Sequence, residues 1–391
     1  MVAGVLLGSN AAPLAIPAKL VLRLLGALAP ALILVAIVQA LMTAHIEARS
    51  AGRLVFLLIL NTLVAIFIGL LVANLIRPGS WYSGAPPPTR NPSGPPHMLQ
   101  QFLENVPQSL LGPLSDNGKV IGVIFIAVAF GVAFRRVRTQ PITNLESLVK
   151  IAFDTLIVIL QWIIEVVPFA VFGIVASIIG VQGFAAFQAL GAFIITVLIA
   201  LALQGAYYLT RIRLGSWVRP SALLRGTRDA LVMAFSTSSS TVTMPVTFDR
   251  LRTRVGLREK SASLGALVGS NFNNDGTALY EAVSALFISQ LLVAQGLGID
   301  LTLTQQLLVV ITSVVASVGA AGIPEAGLVT MTLVFNAVGL PVEYIALLLP
   351  VDWFLDRCRT VINVMGDMNV SCLLDGQTAE SGSGAPVPAT S

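Results

Sequence analysis

The chain has 391 residues, of which 55% are hydrophobic and 11% are charged. A soluble domain carries about 25% charged residues, so this composition argues against a soluble protein and predicts a multi-pass protein of the cell (inner) membrane. The formal net charge of +4 comes from arginines in predicted loops, and we therefore expect no nucleic-acid partner.

The first half of the chain contains long apolar segments, which we predict to be membrane-spanning helices. Several of them reach the roughly 20 residues that cross a bilayer. The apolar segments cover about 15–43, 54–77, 118–135, 145–178 and 184–211. Between the second and third segments, a stretch rich in Pro, Gly and Ser is typical of an irregular external loop.

The second half is also apolar, but three clusters of small and polar residues interrupt it, at 236–245, 271–277 and 319–327. A flexible loop or a surface turn is the ordinary interpretation of such clusters, yet the long apolar flanks place them at membrane depth. Backbone groups freed there must be satisfied by protein, which favours buried helical hairpins and a broken helix around a cavity. We predict a first hairpin at 220–250, a broken helix at 259–293, a second hairpin at 304–340 and a last helix at 343–374. The two hairpins also suggest an inverted repeat.

The last helix carries a stripe of polar and charged residues. At about 100° per residue, six side chains fall on one helical face: Asp352, Asp356, Arg359, Thr360, Asn363 and Asp367. Each charge costs roughly 2.5–3.5 kcal/mol at the bilayer centre, so this stripe predicts a binding site. A structural ion-pair network around the arginine explains part of the pattern. The surplus of carboxylates nevertheless suits a cation or an ammonium group, which is typical of a transporter.

An intramembrane aspartyl protease is another class of function that a pair of aspartates could serve. Asp356 and Asp367 are eleven residues apart, or about 16 Å along a helix that rises ~1.5 Å per residue. This separation is too large for the two carboxyls to share a proton, so the chain is not predicted to be an enzyme. A transport-dead sensor or an anion channel remains an alternative.

Taken together, four motifs resemble the dicarboxylate/amino acid:cation symporters, the glutamate/aspartate transporter family. The motifs are Ser238-Ser-Ser-Thr-Val-Thr-Met-Pro245, Asn273-Asn-Asp-Gly-Thr-Ala-Leu-Tyr-Glu-Ala-Val283, Gly322-Ile-Pro-Glu-Ala-Gly-Leu-Val-Thr-Met331 and Asp352-Trp-Phe-Leu-Asp-Arg-Cys-Arg-Thr-Val-Ile-Asn-Val-Met-Gly-Asp367. Looser similarity reaches back through Asn61 and Thr62, so that the resemblance covers nearly the whole chain.

The resemblance implies an all-α, glutamate-transporter-like fold with two re-entrant hairpins, a broken helix and an inverted repeat. It also implies a homotrimer in which a mobile transport domain carries substrate across the bilayer by an elevator-like movement. The implied boundaries are scaffold helices at 1–53, with most of the first helix missing, a transport-domain helix at 54–78, an external loop at 79–117, scaffold helices at 118–183, the transport-domain core at 184–376 and a disordered tail at 377–391.

The resemblance also implies the substrate-binding residues. Arg359 matches the arginine that holds the side-chain carboxylate of the substrate, and Asp356 matches the aspartate that pairs with its α-ammonium group. The other implied substrate contacts are Ser239, Ser240, Thr277, Gly327, Thr360 and Asn363. Because Asp356 and Arg359 occur together with Asp367, an acidic amino acid, L-aspartate or L-glutamate, is the expected substrate.

Na⁺ is the implied coupling ion, and no other cofactor is expected. The implied cation-site residues are Asn61, Thr62, Asn273, Asp275, Ser317, Val318, Asn363 and Asp367. The chain departs from the family pattern at Leu58, Asn61, Asn274 and the Asn271-Phe272 pair, all near these positions. A C4-dicarboxylate or H⁺-coupled symporter of the same family is the alternative function.

Overall fold

The computed structural model describes residues 1–43, 48–82, 113, 123, 124, 127, 143–298, 300–319 and 326–378. Within these residues the chain is helical and contains no strand, which confirms the predicted all-α fold class. Most of the predicted external loop, the tip of the second predicted hairpin and almost all of the predicted tail lie outside the described residues.

Long helices dominate the first half of the described chain. The α-helices are α1 (Val2–Leu7), α2 (Ile16–Thr43), α3 (Ala48–Ile76), α4 (Thr143–Gln182) and α5 (Ala185–Gly215). Two 3₁₀ segments, Gly8–Ala15 and Pro78–Trp81, connect or extend them.

Shorter helices predominate in the second half. The α-helices are α6 (Pro220–Gly226), α7 (Arg228–Thr237), α8 (Ser240–Arg250), α9 (Glu259–Ser263), α10 (Asp275–Ala294), α11 (Leu303–Gly319), α12 (Ala326–Val338) and α13 (Leu349–Asp375). Among the described residues, five helical segments are long and apolar enough to cross a membrane: Val2–Leu22, Gly52–Trp81, Leu145–Gly180, Phe187–Gly215 and Glu259–Ala294.

The first packing unit consists of α1, the following 3₁₀ segment, α2 and α4. Glycines allow the backbone of α4 to approach this segment closely. A Cβ on Gly173 would collide with the carbonyl oxygen of Leu14, and one on Gly180 would collide with that of Gly8. The apolar faces of α2 and α4 then close over each other.

The second packing unit is built around α10, in which 18 of the 20 residues are buried. A helix that is apolar over nearly all of its surface belongs at the centre of a bundle. Helices α3, α5, α11, α12 and α13 surround it. Phe193 of α5 packs against Tyr280 and Phe287 of α10, with ring centroids 5.7 and 4.7 Å apart.

Two of the three predicted interruptions correspond to breaks in the helices, and the third, at 319–327, lies mostly outside the described residues. Helices α7 and α8 fold back on each other at Ser238, which has a left-handed φ of 52°. The Ser239 hydroxyl then caps α8 by accepting a hydrogen bond from the N–H of Val242 at 3.2 Å. Before α10, the chain leaves helical geometry at Phe272–Asn274. The re-entrant course of the hairpins and the inverted repeat stay predictions.

The carboxylate of Asp375 joins the end of α13 to two loops, and we expect its loss to destabilise the protein. It accepts hydrogen bonds from Trp217 Nε1 at 2.7 Å and from Nε and the backbone N–H of Arg258 at 3.0 and 3.1 Å. Hydrogen bonds to charged groups contribute about 1.5–3 kcal/mol. Asp375→Asn should therefore lower the melting temperature of the detergent-solubilised protein by several degrees.

The matched control for this variant is Asp229→Asn. Asp229 is 54% exposed and pairs with the part-exposed Arg250 at 3.1 Å, and such surface pairs contribute about 0–1 kcal/mol. Equal shifts in melting temperature for the two variants would contradict a stabilising role for the Asp375 contacts.

Candidate functional site

The polar stripe of α13 is buried in the second packing unit. Asp352, Arg359, Thr360, Asn363 and Asp367 are each less than 5% exposed, while Asp356 is partly exposed. The helical period places all six side chains on one face, and α10 packs against this helix while Gly327 of α12 lies against Arg359. The charges therefore face protein groups and not the lipid.

Arg359 is the centre of this face and is fully buried. Its Nη2 lies 2.8 Å from Asp356 Oδ1 and 3.0 Å from Asp352 Oδ1. The guanidinium carbon lies 4.0 Å from the centroid of the Tyr280 ring, a cation–π contact. Within the described residues, Nε and Nη1 of Arg359 have no hydrogen-bond partner. These two buried donors can therefore bind an acceptor that the described residues do not supply.

Two glycines bring backbone from neighbouring helices against Arg359. A Cβ on Gly276 of α10 would lie 2.5 Å from the carbonyl oxygen of Arg359, and one on Gly327 of α12 would collide with its Nη1. Real Cβ atoms essentially never approach that closely, so neither position accommodates a side chain without a shift. Gly327 thus covers the free edge of the guanidinium.

A first polar cluster, the Asp367 cluster, consists of Asn273, Asn363 and Asp367. Asn273 Nδ2 donates to Asp367 Oδ1 at 2.8 Å and to the carbonyl of Asn363 at 3.0 Å. Asn363 Oδ1 accepts from the N–H of Gly276 at 2.8 Å. Among the described residues, no Lys or Arg forms an ion pair with Asp367, and the buried Oδ1 of Asn273 has no donor. This set of oxygens around an unpaired carboxylate fits a desolvated Na⁺.

A second polar cluster, the Asp275 cluster, consists of Asn61, Thr62, Tyr208, Arg211 and Asp275. Thr62 Oγ1 donates to Asp275 Oδ1 at 2.6 Å, and the Tyr208 hydroxyl donates to Oδ2 of the same carboxylate. Arg211 Nη1 donates to Asn61 Oδ1. The predicted cation residues Asn61, Thr62 and Asp275 therefore come together, but an arginine and a tyrosine that the sequence did not single out lie with them.

The remaining predicted residues lie around these clusters. Ser317, at the end of α11, accepts from Asn274 through both its carbonyl, at 2.9 Å, and its hydroxyl, at 3.2 Å. Val318 follows it in the same helix. Thr277 is buried in the first turn of α10. Ser239 and Ser240 lie at the turn between α7 and α8, two helices that both pack along α13, and Thr360 Oγ1 donates to the carbonyl of Asp356 at 2.8 Å.

Glu281 is a buried carboxyl that the sequence reasoning did not assign to the site. It is fully buried in α10, and neither of its carboxylate oxygens has a hydrogen-bond partner among the described residues. An isolated acidic residue within an apolar run is the signal that could have identified it.

Comparisons with known proteins show which family this chain is similar to. The family model for the sodium:dicarboxylate symporter family matches residues 1–377. Excitatory amino acid transporter 3 of Mus musculus is 37% identical over 260 residues, which are 66% of this chain and 49% of that protein. An excitatory amino acid transporter of Caenorhabditis elegans is 37% identical over 256 residues, 63% of this chain and 49% of that protein. Excitatory amino acid transporter 2 of Homo sapiens is 34% identical over 296 residues, 72% and 50% of the two chains.

The chain spans about half the length of these relatives. The family model nevertheless extends from the first residue through the last helix, and so includes every residue of the buried arginine site and of both polar clusters. The all-α membrane fold and the match over nearly the whole sequence lead to one conclusion: this chain belongs to the sodium:dicarboxylate symporter family.

Proposed function

We propose that this protein is a secondary-active symporter that imports an acidic amino acid, L-aspartate or L-glutamate, together with Na⁺. The observation that carries the proposal is the buried guanidinium of Arg359, with two donors unpartnered among the described residues. A guanidinium binds a carboxylate through two parallel hydrogen bonds. The side-chain carboxylate of the substrate is the ligand that this site best accommodates.

The charges around Arg359 support an amino acid as the substrate. Asp352 and Asp356 both lie within 3.0 Å of the single guanidinium. Once a substrate carboxylate binds the guanidinium of Arg359, this surplus of acidic groups favours a positively charged group nearby. We assign the α-ammonium of the substrate to Asp356, with Thr360 and Asn363 as polar neighbours.

The contact between Gly327 and Arg359 supports a gating role for the second hairpin. Because backbone of α12 packs against the free edge of the guanidinium, a carboxylate reaches Arg359 only when α12 moves away. Closure of this hairpin over substrate, followed by an elevator-like displacement of the transport domain within a homotrimer of the inner membrane, completes the proposed cycle. The names of the relatives, excitatory amino acid transporters, support the choice of substrate class.

The Asp367 cluster is the proposed Na⁺ site that couples to the substrate. Asn363 connects the proposed Na⁺ site to the proposed substrate site, because its Oδ1 accepts a hydrogen bond from the N–H of Gly276, whose backbone packs against Arg359. Neutralising Asp367 with a cation would stabilise the arrangement of α10 and α13 that positions Arg359 and Asp356.

An H⁺-coupled cycle is the second candidate for the driving ion. Glu281 supports it, since a fully buried carboxyl that has no hydrogen-bond partner among the described residues can accept a proton without a metal ion. Uptake measured with Na⁺ and then with choline in its place, at fixed pH, distinguishes the two coupling ions.

Competition against uptake of radiolabelled L-aspartate into proteoliposomes tests the substrate class. We expect unlabelled L-glutamate or L-aspartate to compete well and succinate, which has two carboxylates but no ammonium group, to compete poorly. The loss of one charge-assisted contact of about 1.5–3 kcal/mol corresponds to roughly 10–150-fold weaker competition. Equal competition by succinate would indicate instead that the protein is a C4-dicarboxylate transporter.

A further inference from the structure

Arg211 lies in a cluster where the resemblance places a coupling cation. It belongs to α5 and is half-buried, although its sequence position suggests one of the arginines of a cytoplasmic loop. Its guanidinium donates to Asn61 Oδ1, and Asn61 is the chain neighbour of Thr62, whose hydroxyl donates to Asp275.

The oxygens that would bind Na⁺ in this cluster already accept hydrogen bonds from protein groups. Asp275 accepts from Thr62 at one oxygen and from Tyr208 at the other. The side-chain oxygen of Asn61 accepts from Arg211, and its backbone oxygen accepts from Gln204 Nε2 at 3.4 Å. Na⁺ needs oxygen lone pairs directed at it, whereas a guanidinium presents only donors. Because the guanidinium of Arg211 lies among these oxygens, the cluster is a poor site for a second cation such as Na⁺.

The same cluster already contains a positive charge. A buried carboxylate requires a compensating cation or a dense set of hydrogen-bond donors. Arg211 supplies the positive charge, and Thr62 and Tyr208 supply the donors. A Na⁺ placed among these oxygens would lie beside a like charge that the backbone of α5 holds in place. Among the described residues, no arginine hydrogen-bonds a side chain of the Asp367 cluster, so the two clusters differ in how their negative charge is compensated.

We propose that the guanidinium of Arg211 is a permanent, covalently tethered counter-ion of Asp275 that replaces one coupling Na⁺. This inference rests on the proposed Na⁺-coupled function and specifies its ion stoichiometry. The chain binds one Na⁺ fewer than a version of the same site without the arginine. Because the tethered charge belongs to the protein, it is never released to the cytoplasm, and less Na⁺ enters for each substrate molecule.

The test is the number of Na⁺ ions bound per chain, measured with ²²Na⁺ on the purified full-length protein in detergent at saturating L-aspartate. Arg211→Ala frees Asn61 and Asp275, and we expect it to bind one more Na⁺ per chain than the wild type. Arg213→Ala is the matched control, since Arg213 is exposed two residues further along the same helix, and it should bind the wild-type number. The same number for Arg211→Ala and Arg213→Ala would overturn the proposal.

Asp275→Asn keeps the proposal testable if Arg211→Ala does not fold. With Arg211 as the counter-ion, Asp275→Asn leaves the number of bound Na⁺ ions unchanged, whereas a loss of one Na⁺ per chain would overturn the inference. If the proposed Na⁺-coupled function is wrong, the result is different: the wild type itself shows no saturable binding of Na⁺. In that case, a gain of one Na⁺ in Arg211→Ala still supports the tethered counter-ion.

Discussion

Replacing Arg359 by cysteine is expected to abolish uptake of L-aspartate and to permit weak uptake of a neutral amino acid such as L-serine. The substrate carboxylate would lose two charge-assisted hydrogen bonds of about 1.5–3 kcal/mol each, which together correspond to a loss of affinity of at least ~100-fold. The smaller thiol also leaves room for an uncharged side chain. Initial rates of uptake of both amino acids into proteoliposomes measure the effect.

Arg357→Cys is the matched control for this variant. Arg357 is two residues away on α13, but its guanidinium lies over the Trp353 ring at 3.9 Å and donates to the Trp353 carbonyl at 2.7 Å, away from the buried site. We expect nearly wild-type uptake of aspartate from the control. Unchanged transport of aspartate by Arg359→Cys would show that another group binds the substrate carboxylate.

Asp367→Asn is expected to lower the apparent affinity for Na⁺ in uptake severely. Asp367 supplies the negative charge of the Asp367 cluster, and no described Lys or Arg compensates it through an ion pair. The amide keeps the size of the side chain but removes the charge, so a loss of about 1.5–3 kcal/mol in Na⁺ binding is expected. The concentration of Na⁺ that gives half-maximal uptake should therefore rise roughly 10–150-fold.

Asp300→Asn, in an exposed connection between α10 and α11, provides the control for a general effect of losing a carboxylate. It should give the wild-type Na⁺ dependence. If Asp367→Asn also gave that dependence, the coupling ion would have to bind elsewhere, and the role assigned to the Asp367 cluster would be wrong.

The helical class could be predicted from the sequence because it depends on local patterns. Apolar segments of sufficient length predict membrane helices, and the 3.6-residue period placed the polar residues of α13 on one face. The polar cluster at 271–277 predicted the break that the structure has at Phe272–Asn274. The ends of the last helix were less well defined, since a 3₁₀ segment at Val342–Leu347 precedes α13. An apolar sequence has no local signal that separates a 3₁₀ segment from an α-helix.

The partners within the site depend on contacts between distant parts of the chain. Thr62 and Asp275 are 213 positions apart, and Tyr208 lies on a third helix. Only the family resemblance suggested that the first two meet, and no motif suggested Tyr208 or Arg211. Arg211 looks like a loop arginine because basic residues follow it closely. The direction of the Arg211 side chain depends on how α5 packs against α3 and α10.

The proposed coupling is tested most directly by uptake of radiolabelled L-aspartate into proteoliposomes under an inward Na⁺ gradient, and then with choline replacing Na⁺ at fixed pH. Coupling to Na⁺ predicts concentrative uptake with Na⁺ and none with choline. Undiminished uptake in choline, driven by an inward proton gradient alone, would contradict Na⁺ coupling and assign the driving force to H⁺. Absence of uptake under both gradients would contradict the proposal that this chain transports aspartate.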